Sequence, residues 1–214
     1  MIKNEKKSDS SIFRWIYITG YGNEPYRYLF FLHNRFLEEH ELDDIHPEYG
    51  KTEYKAILQE FKSSGFNVLS EKRNGNVNAR EYAIGIVEQI DSLISMGVQP
   101  NKITVVGTSK GGYIAQYVST LAHNPNLNFV FIASYRERDL LHIPDINFCG
   151  NILSIYEKTD PFGVSALGRK ENATCDIPYF KEIEINTGLR HGFLFRPLKE
   201  WILPTIRWAK ANYN

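Results

Sequence analysis

A serine between two glycines is the residue of this sequence best suited to chemistry. The segment KITVVGTSKGGYIAQYVS places Ser109 between Gly107 and Gly111, where a run of β-branched residues gives way to a helical pattern. A tight strand-to-helix turn of this kind projects the serine hydroxyl from the carboxyl end of the strand, and glycines relieve backbone crowding there. We therefore predict that Ser109 is a nucleophile. The free N–H groups at the start of the following helix favour a developing oxyanion, and the N–H of Lys110 is one predicted donor.

A serine hydroxyl needs a base, because it is a poor nucleophile near neutral pH. His191, in EIEINTGLRHGF, follows the last predicted strand, and Asp160, in NILSIYEKTDPFG, follows the strand before it. We predict that His191 accepts the proton of Ser109 and that Asp160 orients the imidazole and stabilises its charged form. Two alternatives stay open: Asp160 is only a turn residue before Pro161, and Glu157 is the acid instead.

The remaining histidines do not indicate a metal site. His33, His40 and His46 lie together in an early irregular segment, but their spacing matches no ligand pattern. We therefore expect no metal and no cofactor.

Short β-prone runs alternate with longer segments of helical period, a pattern typical of an α/β domain with a largely parallel sheet. We predict a six-stranded or slightly larger sheet with helices on both faces. Its predicted strands are Phe13–Thr19, Asn67–Ser70, Ile103–Val106, Phe129–Ala133, Ile152–Tyr156 and Glu182–Ile185. A last helix should begin near Pro197 and kink or break at Pro204.

The 214 residues are enough for one well-buried domain. We expect a flexible polar leader over residues 1–12 and a single domain over residues 13–214. The stretch from Gly20 to Tyr49 mixes aromatic, acidic and histidine residues, and we expect a short helix and a long loop there.

These motifs resemble the α/β-hydrolase superfamily, in particular its small, nearly lidless bacterial members of the esterase and dienelactone-hydrolase kind. The resemblance spans roughly Trp15 to Trp208 and rests on the order of Ser109, Asp160 and His191. It implies that a second oxyanion donor, the N–H of Tyr21, lies in the loop after the first strand. That loop carries Thr19 where the family has histidine, followed by Gly20, Tyr21 and Gly22.

The composition excludes several classes of function. Lys plus Arg and Asp plus Glu each number 25, so the zero net charge indicates neither nucleic-acid nor anionic-membrane binding. We find no apolar run long enough to span a bilayer and no secretory h-region. The two cysteines, Cys149 and Cys175, have no metal-ligand or CxxC spacing. We therefore expect a cytoplasmic protein with reduced cysteines.

The predicted function is hydrolysis of a small carboxylic ester, without cofactor, through an acyl-enzyme. A thioesterase or peptidase would use the same three residues, and a hydrolase fold retained as a binding module is the alternative of another class. The pocket should be shallow, with Gly20, Gly22, Phe162 and Phe193 as candidate lining residues. Lys110 is expected to face an acidic partner rather than the substrate, and Arg73 to form a salt bridge between loops.

Overall fold

A computed structural model describes residues 26–214, which form eight strands and seven α-helices. The strands are β1 (Arg27–Leu32), β2 (Ile45–His46), β3 (Gly50–Lys51), β4 (Phe66–Leu69), β5 (Ile103–Thr108), β6 (Asn128–Ile132), β7 (Asn151–Glu157) and β8 (Phe180–Ile185). The helices are α1 (Phe36–Glu39), α2 (Tyr54–Ser63), α3 (Ala79–Ser95), α4 (Lys110–Ala122), α5 (Asp139–His142), α6 (Leu167–Glu171) and α7 (Lys199–Ala209). Short 3₁₀ turns occupy Pro100–Lys102 and Arg190–Phe195.

Six of these strands form one sheet in the order β4-β1-β5-β6-β7-β8, and every neighbouring pair is parallel. Strand β5, which leads into Ser109, therefore lies in the interior of the sheet. Because the strands are parallel, the loops that follow them meet at one edge. β2 and β3 form a separate antiparallel pair. The prediction of a parallel six-stranded α/β sheet is confirmed.

Helices cover both faces of the sheet. Side chains along each strand point alternately to the two faces, so each face has its own core. Leu29 and Phe31 of β1 face a core that contains Phe61 of α2 and Trp201 of α7. Residues of the opposite parity, such as Phe30, pack with residues from α3 and α4. The sheet is thus buried on both sides, which explains the nearly continuous apolar runs of its strands.

The first strand of the described sheet was not predicted. Arg27–Leu32 forms β1, within the stretch that was expected to hold a short helix and a long loop. The predicted strand Phe13–Thr19 and the leader over residues 1–12 lie outside the described residues. β1 pairs with both β4 and β5 and is buried over most of its length. Long-range pairing, which local sequence does not encode, therefore decides where this strand lies.

Helix α7 begins at Lys199, near Pro197 as expected, and runs through Pro204 without a break. One further expectation was wrong. Cys149 and Cys175, expected to be reduced, form a disulfide between the segments that precede β7 and β8. The two residues are 26 positions apart in sequence, so the spacing alone gave no sign that the fold brings them together.

Candidate active site

Ser109 lies on the turn between β5 and α4, with φ 51° and ψ −118°. A positive φ is costly for any residue with a Cβ, and such conformations cluster at functional sites. The backbone N–H of Ser109 donates to the carbonyl of Ile132 at 2.9 Å, which joins the turn to the neighbouring strand β6. The surrounding sheet thus holds the serine in a conformation that an isolated turn would avoid.

The two glycines that flank this turn are required by close backbone contacts. A Cβ at Gly107 would lie 2.2 Å from the carbonyl oxygen of Gly111, and a Cβ at Gly111 would lie 1.9 Å from the carbonyl oxygen of Leu32. Neither position can accept a side chain without moving the backbone. The predicted role of these glycines in relieving crowding therefore agrees with the contacts, and the second glycine also lets the end of β1 approach α4.

Two loops at the same sheet edge bring His191 and Asp160 to Ser109. His191 lies in the 3₁₀ turn after β8, and Asp160 follows β7. His191 Nε2 is 2.9 Å from Ser109 Oγ, and His191 Nδ1 is 2.6 Å from Asp160 Oδ2. A carboxylate only accepts hydrogen bonds, so Nδ1–H donates to Asp160 and Nε2 is left to accept from the serine hydroxyl. The three residues form one continuous chain of hydrogen bonds.

In this series of hydrogen bonds, Asp160 is buried, whereas His191 is partly exposed to solvent. The Asp160 side chain is fully buried and that of His191 is 12% exposed. Asp160 also accepts a hydrogen bond from the N–H of Phe162 at 2.9 Å through its second oxygen. Both oxygens of the carboxylate are therefore engaged, which fixes its orientation toward the imidazole.

Glu157, the alternative acid, does not reach the imidazole and bonds to the backbone of two loops. Its Oε2 accepts from the N–H and hydroxyl of Thr159, both at 2.6 Å, and its Oε1 accepts from the N–H groups of Thr187 and Gly188 at 3.0 and 3.1 Å. Burial acts to raise the pKa of this carboxyl, but these hydrogen bonds outweigh it and hold the pKa below its usual value. Sequence reasoning missed this role.

The turn after β1 lies against the start of α4 and is held by a buried cluster of charges. The Arg73 guanidinium donates to the carbonyl of His33, and the Arg73 N–H donates to His33 Nε2 at 2.8 Å. Glu38 binds Arg73 Nε at 2.7 Å and Lys110 Nζ at 2.5 Å. Lys110 therefore has the acidic partner expected for it. Arg73 forms a salt bridge as expected, but its partner Glu38 lies in helix α1 and not in a loop.

His33 is held neutral within this cluster. Burial, followed by the positive charge of Arg73, lowers its pKa to about 3. Its Nδ1 is 2.7 Å from the carbonyl oxygen of Asn34, so this nitrogen carries the proton and Nε2 accepts from Arg73. His40 and His46 stack on Phe36 and Tyr49 respectively, and the Phe36 ring also packs edge-on against His46.

The prediction of an oxyanion loop after the first strand concerns residues that the structure does not describe. Gly20, Tyr21 and Gly22 lie outside the described residues. Among residues 26–214, the segment that follows β1 is His33–Arg35, and Leu32 at the end of β1 pairs with Gly107 beside the elbow. The family motif has a histidine after the first strand, and His33 directly follows the run YLFFL. This match was the signal in the sequence that could have pointed to this loop.

Aromatic side chains flank the histidine on two sides. The Phe162 ring packs edge-on against His191 with centroids 5.1 Å apart, and the Tyr49 ring lies 6.4 Å away. Phe162, predicted to line a pocket, is 40% exposed and lies at the site. Phe193 has no exposed surface and belongs to the core with Trp201, because its 3₁₀ turn directs it inward. The prediction of Phe193 as a pocket wall was therefore wrong.

An open cavity of about 500 Å³ lies at the start of α4, which directly follows Ser109 in sequence. Lys110 and Tyr113 of α4 line one side, and Arg136 and Arg138 of the connection between β6 and β7 line another. That connection contains the four-residue helix α5. None of the helices in residues 26–214 combines the length and the apolar content that a bilayer crossing needs.

A scan of the sequence against protein-family models finds no match, and neither does a search of curated proteins. The fold, in contrast, is similar to solved structures. SOBER1 of Arabidopsis thaliana aligns with a TM-score of 0.54 and 15% identity over 88% of this chain and 99% of its own. An arylesterase structure aligns with a TM-score of 0.61 and 14% identity over 89% and 78%. EstE1, a thermophilic carboxylesterase cloned from a metagenomic library, aligns with a TM-score of 0.59 and 14% identity over 90% and 82%. The chain therefore has the α/β-hydrolase fold.

Proposed function

We propose that this protein is a serine hydrolase that cleaves a small carboxylic ester, or a related acyl bond, through an acyl-enzyme. The observation that carries the proposal is the hydrogen-bond chain from Ser109 Oγ through His191 to Asp160, at 2.9 and 2.6 Å. Both distances lie within the range in which a base and an orienting acid act on a nucleophile. The esterase structures of similar fold support the same reaction class, although fold alone does not fix function.

The mechanism consists of two acyl transfers. Ser109 Oγ attacks the ester carbonyl carbon while its proton passes to His191 Nε2, and the tetrahedral intermediate then expels the alcohol, which takes that proton. A water next attacks the acyl-serine, gives its proton to His191 Nε2, and the acid is released as Ser109 recovers its proton. Throughout, Asp160 keeps Nδ1 protonated and stabilises the imidazolium.

Two backbone N–H groups are proposed to bind the developing oxyanion. Lys110 is the first residue of α4, so its N–H has no partner within the helix. The second donor belongs to the turn His33–Arg35, and the position that the family motif assigns to it is Arg35. The contact of Gly111 with Leu32 and His33 brings this turn against the start of α4. Donors fixed in this way need no rearrangement as charge develops.

A fluorophosphonate probe tests the nucleophile directly. We expect covalent labelling at Ser109, identified by mass spectrometry, and hydrolysis of 4-nitrophenyl butyrate that falls at least about 10³-fold in Ser109→Ala. Ser95→Ala, at an exposed position in α3, serves as the matched control. Folded protein that is neither labelled nor affected by Ser109→Ala would contradict the proposal and favour a binding module.

A further inference from the structure

The open cavity at the start of α4 carries an excess of positive charge. Four cationic side chains line it, and Asp139 is its lining carboxylate; the cations are Arg80, Lys110, Arg136 and Arg138. Asp139 is already engaged, because Oδ2 accepts from the Tyr113 hydroxyl at 2.5 Å and from the Arg136 N–H at 2.8 Å. A concave surface lined by one sign of charge concentrates ligands of the opposite sign.

Two of these cations have no carboxylate partner. Lys110 is bound to Glu38 and Asn76, and Arg80 lies 3.8 Å from Asp145. Neither Arg136 nor Arg138 forms a side-chain hydrogen bond or an ion pair within residues 26–214. The Nε of Arg136 is in addition buried without a hydrogen-bond partner. An unsatisfied buried donor on a charged group is costly unless a ligand completes it.

Arg136 is connected to the triad residues by direct contacts. Its guanidinium lies 4.9 Å from the centre of the Phe162 ring, and that ring packs against His191 at 5.1 Å. The loops that carry them are also joined, since the Val164 N–H donates to the carbonyl of Tyr135 at 3.0 Å. The guanidinium is thus held one aromatic ring away from the imidazole.

We propose that this cavity selects esters bearing a negatively charged group, a carboxylate or a phosphate, on the part of the substrate remote from the scissile bond. Arg136 and Arg138 are the binding residues. The Arg136 guanidinium can donate two hydrogen bonds to a carboxylate or phosphate in bidentate geometry. The cavity volume of about 500 Å³ suits a small ligand. The inference rests on the proposed hydrolase function.

Two chromogenic esters of similar acyl length test the inference. The half-ester of glutaric acid with 4-nitrophenol ends in a carboxylate, and 4-nitrophenyl pentanoate ends in a methyl group. We expect kcat/KM to be at least about tenfold higher for the glutarate ester, after subtraction of its spontaneous hydrolysis, and the ratio to shrink as ionic strength rises. Arg136→Gln and Arg138→Gln should each lower the ratio at least about threefold. Arg207→Gln, at an exposed position of α7, should leave it unchanged.

Inhibition experiments distinguish a carboxylate from a phosphate as the group that the cavity prefers. Free glutarate and propyl phosphate are tested as inhibitors of pentanoate hydrolysis, and the better inhibitor identifies the preferred group. A ratio near one in the wild type, or a ratio unaffected by both arginine substitutions, overturns the inference while leaving the hydrolase intact. Absence of Ser109 labelling together with no turnover of either ester would instead contradict the proposed function.

Discussion

The Glu157 carboxylate accepts a hydrogen bond from the backbone N–H of Thr187 at 3.0 Å. This contact joins the loop that presents Asp160 to the loop that presents His191. The same carboxylate also binds Thr159 and Gly188, so it fixes both loops at once. Glu157 is therefore a positioning residue for the proposed triad, not a member of it.

Replacing Glu157 should affect turnover more than substrate binding. Glu157→Gln keeps one acceptor oxygen and sets an NH₂ group against backbone N–H groups. We expect a loss of about 2 kcal/mol in the free energy of unfolding, measured in urea, and a fall in kcat of about tenfold with little change in KM. Glu184→Gln, at an exposed position of β8, is the control. Equal loss of kcat in both variants would contradict the positioning role.

The stability contributed by Glu157 should depend on pH. Since its folded-state pKa lies below the ordinary value of 4.5, its contribution is present above that pH and is lost as the pH falls through the folded-state pKa. Urea unfolding at pH 6 and at pH 4 should show a smaller stability gap between wild type and Glu157→Gln at the lower pH. A gap of constant size would contradict this assignment.

His33 should make the protein less stable in mild acid. Its folded-state pKa of about 3 lies below the ordinary histidine value of 6.5, so the unfolded chain takes up the proton first. The stability that neutral His33 provides is complete above pH 6.5 and declines by at most about 1.4 kcal/mol per pH unit toward pH 3. We expect His33→Asn to have a shallower fall between pH 7 and pH 5 than wild type. His142→Asn, exposed in α5, should retain the wild-type slope.

Two glycine substitutions should have opposite effects. Gly111→Ala places a methyl group 1.9 Å from the carbonyl oxygen of Leu32, so the start of α4 must move and hydrolysis should fall at least about 100-fold. Gly85 lies within α3 with nothing within 4 Å of its added Cβ. Gly85→Ala should therefore raise the free energy of unfolding by about 0.5–1 kcal/mol at unchanged activity. The measurements are urea unfolding and initial rates, and full activity in Gly111→Ala would contradict the packing at the elbow.

The cross-link between Cys149 and Cys175 should stabilise the chain. It closes a loop across a sequence separation of 26, and loop-closure entropy for that length corresponds to about 3.5 kcal/mol. A reductant should lower the urea midpoint of wild type but not that of Cys175→Ser. Two titratable thiols in unfolded, unreduced protein would show that the bond is absent.

Local pattern was sufficient for the elbow, because strand, turn and helix are contiguous around Ser109 and their residue preferences agree. Strands β5, β6 and β7 were also predictable, because parallel strands buried on both faces have nearly continuous apolar sequences. β1 was not, since its place in the sheet depends on pairing with β4 and β5, which are far from it in sequence. The Cys149–Cys175 contact and the position of Arg136 beside Phe162 depend on tertiary packing, which spacing does not reveal.

The distance along the chain between the elbow and the base has a consequence for biosynthesis. His191 follows the final strand of the sheet, 82 residues after Ser109. A nascent polypeptide that has folded through α4 therefore carries Ser109 as an ordinary alcohol. Under the proposed mechanism, Ser109 gains its base only when β8 docks beside β7 and delivers the imidazole, so we expect incomplete chains on the ribosome not to be acylated at this serine.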